Sequence, residues 1–187
     1  MTTNSREAIL LAAKKAGQAH GYNGLNFRDL AMEVGIKAAS IYHHFPSKSD
    51  LGVAVAKRYW EDAAAALDAM AANGANPIAC LRQYPGTFRT ALETDNRMCM
   101  CSFMASEYDD LPEEVQKEVQ VFTMVNVSWL SKCLVAAGIV KPEEAEKRGY
   151  AIFAAIAGAQ LVARGRSEIS LYDAIVDGYR SSGLLPE

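Results

Sequence analysis

The chain has 187 residues, 50% of them apolar and 22% charged, with a formal net charge of -3. That length suits one medium domain or a small domain joined to a larger one, and the composition supports a packed core and excludes a disordered chain. No uninterrupted apolar run reaches the roughly 18 residues of a membrane span, and Cys80, Cys99, Cys101 and Cys133 follow neither a paired zinc spacing nor a disulfide-rich secreted framework.

The opening MTTNSREAILLAAKK carries charges on both sides of a short apolar segment, which predicts the start of a helix rather than an export signal. Reduced thiols, a cytoplasmic location and no membrane partner are the matching expectations. Residues 1–60 hold eight Lys/Arg against four Asp/Glu, and the rest holds eleven against eighteen. A basic front on an acidic body points to a polyanionic partner for the front, although ordinary charge scatter gives the same balance.

Apolar residues recur at helical spacing throughout, with no sustained period-two alternation, so an all-α fold is predicted. Ile9, Ala13 and Ala16 mark a first helix running to about His20, ended by Gly21 and Gly24. Asn26 caps a short second helix, with Asp29 as its capping-box-like partner and Leu30, Ala31 and Val34 on its buried face. Gly35 stops it. A third helix spans about Ala38 to Phe45, and Pro46 with Ser47 breaks it. Ser47 caps a long fourth helix through Leu51, Val55 and Tyr59, to about residue 72. Asn73-Gly74-Ala75-Asn76-Pro77 is a further break. Helices follow over about 78–94, 98–108, 113–137, 143–164 and 170–182, punctuated by Asp95-Asn96, Leu111-Pro112, Gly138 with Pro142, and Gly165. The expected domains are 1–52 and 53–187, with the fourth helix (about 47–72) connecting them.

The second and third helices, joined by a tight turn at Gly35, have the form of a helix-turn-helix. The second helix of such a unit lies in the major groove with its N-terminal residues against base edges. Small residues are needed there, and Ala38, Ala39 and Ser40 supply them; Ser40 can bond phosphate or base, and Ala39 can touch a thymine methyl. Tyr42 and His43 stand further along, where hydroxyl and imidazole reach phosphates. Lys48 adds its charge to the positive end of the next helix. A plain helical hairpin, with Tyr42 and His44 half buried, satisfies the same pattern; the basic balance, the small helix start and the Tyr-His-His-Phe cluster favour the DNA reading.

Residues 6–51, REAILLAAKKAGQAHGYNGLNFRDLAMEVGIKAASIYHHFPSKSDL, resemble the DNA-binding domain of the tetracycline-repressor (TetR) family. The resemblance implies an all-helical transcription regulator, not an enzyme and without a cofactor. Such a regulator is usually a repressor that binds a palindromic double-stranded operator as a homodimer and releases it on sensing a small molecule. It adds Asn26 and Arg28, at the start of the second helix, to the DNA-contacting set of Lys37, Ala38, Ala39, Ser40, Tyr42, His43 and Lys48. Two positions depart from the family pattern: Asn26 stands where Thr is common, and Lys37 stands where Ser or Thr caps the recognition helix. Lys37 has no oxygen to cap with but can contact phosphate.

Beyond residue 60 the resemblance weakens. MCMCSFMASEYDDLPEEVQKEV resembles a branch with AcrR- and NemR-like members, in which a Cys opens the sixth helix and a Glu follows eight residues later; Cys99 and Glu107 match. Some members of that branch sense electrophiles or oxidants through Cys. A helix N-terminus and Arg97 would both favour the Cys99 thiolate, whereas free Cys is commonly a small buried hydrophobe. Cys99 and Cys101 point about 200° apart on a helix and cannot readily pair with each other. An apolar pocket is the other sensor reading, built from a Met- and aromatic-rich set. The sensing candidates are therefore Cys99, Met100, Phe103, Met104, Glu107, Phe122 and Trp129, with an electrophile or an apolar compound as effector. The three histidines all precede residue 45, which excludes a His-based metal site or Ser-His-Asp triad in the second half. The rival class, an all-helical thiol redox protein or enzyme using Cys99, lacks both a partnering His and a Cys-x-x-Cys. Ala154, Ala155, Gly158, Ala159 and Leu161 leave little bulk on one side of the penultimate helix, as close helix approach in a dimer requires; packing within one chain would use the same residues.

Overall fold

A computed structural model describes residues 5–72 and 76–187, and among them every regular element is helical, as the sequence pattern predicts. In chain order they are α1 (Ser5–His20), a 3-10 turn at Tyr22–Gly24, α2 (Phe27–Val34), α3 (Ala38–His44), α4 (Lys48–Ala72), α5 (Pro77–Glu93) and α6 (Met100–Ala105). A second 3-10 turn at Tyr108–Asp110 precedes α7 (Glu113–Ala136), α8 (Pro142–Arg166) and α9 (Ile169–Ser181). The expected break at 73–77 falls mostly outside the described residues. The chain packs as two compact units, Met1–Glu61 with Met100–Phe122, and Asp62–Cys99 with Thr123–Glu187.

In the first unit, Ile9 and Ala13 lie one helical turn apart on α1 and meet Leu30, Ile41 and Leu51 in a core where none of the five exceeds 1% exposure. Each short helix is held by its ends. Asn26 Oδ1 accepts from the Arg28 N–H at 2.9 Å and the Asp29 N–H at 3.3 Å, satisfying orphan donors of α2. The reciprocal half of the expected capping box does not form, because the Asn26 N–H donates to Gly24 O at 2.9 Å instead. Gly35 closes α2 at φ 74°, and the Ile36 N–H returns to Ala31 O at 3.0 Å, the left-handed stop that glycine accepts most easily. Ser47 caps α4 as expected. Its Oγ accepts from the Asp50 N–H at 3.1 Å, and the Asp50 carboxylate accepts from the Ser47 N–H at 3.0 Å. Residues of α6 and α7 complete this unit: Met100 packs against Gly17 of α1, and Trp60 Nε1 donates to Glu118 at 2.7 Å.

In the second unit, Leu81, Leu130, Ile152 and Ile156 form a fully buried centre contributed by α5, α7 and α8. Several polar groups inside it are paired. The Tyr84 hydroxyl donates to Asn126 Oδ1 at 3.0 Å, and the Tyr172 hydroxyl donates to Pro85 O at 2.7 Å. Gln160, with no exposed area, accepts from the Cys99 N–H at 2.9 Å and donates to Phe88 O at 2.6 Å. Arg89 grips Asp173 of α9 through two bonds, Nε to Oδ1 at 2.7 Å and a second nitrogen to Oδ2 at 2.9 Å.

Three expectations change. The helix expected over 98–108 is only Met100–Ala105. The Cys99 N–H is committed to Gln160, and past Ala105 the backbone tightens, with the Glu107 N–H bonding Met104 O at 2.9 Å. Gly165 does not end α8: the helix runs through it, and Ser167 at φ 51° is the stop, with the Glu168 N–H bonded to Ala163 O at 3.1 Å. Finally, α7 is long and apolar enough to cross a membrane by length and composition. Gln120, Asn126 and Lys132 interrupt its apolar run without removing that overall character. Its Val115, Val119, Phe122, Val127, Trp129 and Leu130 are buried within the protein.

Candidate nucleic-acid interface

Ile41 on α3 and Phe45, which caps its end, face the core at 0% and 2% exposure and fix the direction of the other side chains of α3. The opposite side presents Lys37, Ala39, Tyr42 and His43 to solvent, with Ala38 and Ser40 half buried at the helix start. Lys37 occupies the cap position in extended conformation and makes no side-chain cap bond, leaving its ammonium outward. The Tyr42 ring, 57% exposed, stands edge-on against Phe27 with centroids 4.8 Å apart. His44 turns away from this face, its Nε2 2.9 Å from Ser5 Oγ.

Beside Tyr42 lies an open cleft of about 350 Å³ lined by Asn23, Leu25, Asn26, Phe27, Arg28, Tyr42 and Lys48. The fold thus brings together the start of α2, the flank of α3 and the start of α4. Two of those residues are cationic, and both α2 and α4 direct positive helix ends toward this region. The Lys48 Nζ lies 4.5 Å from the Tyr22 ring centroid. Burial lowers the Lys48 pKa, and the nearby Glu107 carboxylate opposes that shift. Burial also raises the Tyr22 pKa, with Glu114 adding to it. Asn23, Phe27 and Tyr22 were not singled out by sequence reasoning. The only available signal for Asn23 was its place in the Gly21–Gly24 turn.

The sensing candidates divide between the two units. Met100, Phe103, Met104, Glu107 and Phe122 belong to the first; Cys99 and Trp129 belong to the second. Met100 and Met104 have no exposed area, and Phe122 packs on Tyr59 with centroids 5.5 Å apart. Glu107 Oε2 accepts from the Tyr22 N–H at 2.6 Å, and Oε1 accepts from Asn23 Nδ2 at 3.2 Å. Trp129 stacks on Tyr84 at 5.8 Å and donates to Leu67 O at 3.0 Å. Cys99 is 3% exposed, and all four cysteines are buried thiols outside any disulfide. Burial, helped by neighbouring Cys80, pushes the Cys133 thiol up to about 11. Among the described residues no group of three or more His, Cys, Asp or Glu is arranged to hold a metal ion.

A second outward face lies on α8. Ala151, Ala154, Gly158, Leu161, Val162 and Gly165 fall on one side of the helix and are all exposed, Leu161 at 58% and Val162 at 51%. Ala159, expected on this side, instead turns into the protein at 1% exposure.

Residues 9–55 match the family model described as bacterial regulatory proteins, tetR family. Over 72 residues the chain is 39% identical to the HTH-type transcriptional repressor AcnR of Corynebacterium glutamicum, a match covering 38% of this chain and 37% of that repressor. The likeness to solved structures spans nearly the whole chain. A TetR transcriptional regulator from Legionella pneumophila superposes with a TM-score of 0.91 at 29% identity, covering 97% of this chain and 99% of that one. A TetR-family regulator from Agrobacterium tumefaciens gives 0.87 at 30% identity, covering 95% and 96%. With the helix-turn-helix in place and this likeness running through both units, the chain belongs to the tetR family of bacterial regulatory proteins.

Proposed function

We propose that the chain is a cytoplasmic, homodimeric transcriptional repressor that binds a palindromic double-stranded operator through α3 and is released by a small molecule. The observation that carries the reading is the outer side of α3, small at its leading end and flanked by the Asn26–Arg28–Tyr42–Lys48 cleft. Ala38, Ala39, Ser40 and His43 take the base edges; Lys37, Tyr42 and Lys48, with Arg28 and the Asn26-capped start of α2, take phosphates. The repressor names of the curated relatives support repression.

Pairing follows from the small contact area of a single helix-turn-helix, since two half-sites one helical turn apart restore useful affinity. The exposed apolar stripe on α8 supports it. Residues 53–187 would sense the effector, and 1–52 would read DNA. Any effector must favour one dimer geometry over another to shift binding. The burial of Cys99 favours a noncovalent apolar effector over thiol modification. Family membership sets aside the alternative of a helical thiol enzyme.

The test is fluorescence anisotropy with duplex DNA across a salt series. Binding weakens steeply with salt, and Lys48→Ala lowers the log–log slope by about one unit. A salt-independent response overturns the reading.

A further inference from the structure

We infer that Glu107 is a positioning residue for the DNA-binding face: its carboxylate fixes the Gly21–Gly24 turn and, through it, the phosphate-facing start of α2. The inference rests on the DNA reading above and names a residue, outside the helix-turn-helix, that sets its geometry.

Glu107 lies two residues past the end of α6, held there by its own N–H on Met104 O at 2.9 Å. From that position both carboxylate oxygens are spent on one turn. Oε2 takes the Tyr22 N–H at 2.6 Å, and Oε1 takes Asn23 Nδ2 at 3.2 Å. The first of these is short and has a carboxylate acceptor, the stronger kind of hydrogen bond. The turn is shaped to receive the carboxylate. Gly21 sits at φ 63°, and a Cβ at Gly21 would collide with the Glu107 carboxyl group. Only glycine permits so close an approach at such an angle.

The turn leads straight into the interface. Asn23 lines the cleft beside Tyr42 and Lys48. The Leu25 N–H closes on Tyr22 O at 3.1 Å, and Asn26, next in the chain, caps α2. Tyr22, held by its amide, also carries Lys48 against its ring. Loss of the carboxylate would release Tyr22, Asn23 and the α2 start together, while removing no group that touches DNA. A phosphate contact and a positioning contact therefore leave different signatures. The first changes the salt slope; the second changes affinity at constant slope.

The experiment uses full-length protein and a fluorescein-labelled duplex recovered by in vitro selection with wild type. Glu107→Ala is expected to weaken binding about tenfold with an unchanged salt slope, whereas Lys48→Ala lowers the slope. Glu107→Gln, which keeps an acceptor for the Tyr22 N–H without the charge, recovers most of the affinity. Amide hydrogen exchange in Glu107→Ala speeds up at Tyr22 and not at Ile41, which separates a displaced turn from a destabilised unit. Wild-type affinity in Glu107→Ala, or equal loss in both variants with faster exchange across the whole unit, overturns the inference while leaving the DNA reading intact. A wild type that fails to bind DNA in a salt-dependent way overturns both.

Discussion

Gln160 is the most demanding single side chain in the second unit, and Gln160→Leu measures it. Leucine fills nearly the same volume, so the change isolates the loss of two hydrogen bonds. The Cys99 N–H gives up its 2.9 Å bond to Oε1, and Phe88 O gives up its 2.6 Å bond from Nε2. Gln160 has no exposed area, so water does not replace it without rearrangement. Stripping a buried donor of its partner costs about 1–3 kcal/mol. Phe88 O lies inside α5, within reach of the helical N–H four residues on, so its loss is the smaller. Together they amount to about 2–4 kcal/mol, a fall of roughly 4–16 °C in Tm for a chain of this length. The assay is urea denaturation and thermal melting by circular dichroism at fixed chain concentration, since the proposed pairing would shift apparent stability. The m-value stays constant while the midpoint drops. Gln120→Leu is the control: Gln120 is exposed, donates only to the Tyr108 hydroxyl at 3.2 Å, and costs less than about 0.5 kcal/mol when replaced. If Gln160→Leu is no less stable than Gln120→Leu, the buried bridge does not carry the energy assigned to it.

Two further outcomes follow from the outward and inward faces. Leu161→Glu places a charge in the exposed stripe of α8, so the protomer keeps its helical signal while sedimentation moves from a dimer to a single chain; unchanged sedimentation would exclude that stripe as the pairing surface. The thiols resist reagents in the native state. With its pKa near 11, Cys133 is about 0.1% thiolate at pH 8, so Ellman's reagent titrates four thiols quickly only in denaturant. Cys99→Ser should release DNA no differently from wild type under peroxide, and a protected mutant beside a sensitive wild type would restore the thiol switch.

The elements legible in the sequence were those with a local cause. Asn26, Gly35 and Ser47 punctuate the chain through their own backbone and side-chain chemistry, and the structure realises each one. Misreadings arose where a distant partner decided the outcome. The start of α6 depends on Gln160, some sixty residues away, and a glycine at 165 gave no sign that Ser167 would take the left-handed stop. The outer face of α3 was readable because Ile41 and Phe45 fix it by helical period. The role of Glu107 was not, because its two acceptors point at a turn more than eighty residues earlier in the chain. Gln160 and Asn126 did carry a faint signal, each being the lone amide side chain in the largely apolar runs AAIAGAQLVA and TMVNVSWL.

Gly158 stands well inside a long helix, and a methyl group added there would meet nothing within 4 Å in the chain. Alanine there would strengthen the helix by about 0.5–1 kcal/mol. A screen for heat tolerance scored on the isolated chain would therefore favour G158A, and in doing so would thicken the surface on which two backbones would approach in the dimer proposed above. In such a dimer, robustness of one subunit and intimacy of two would be set against each other at a single residue.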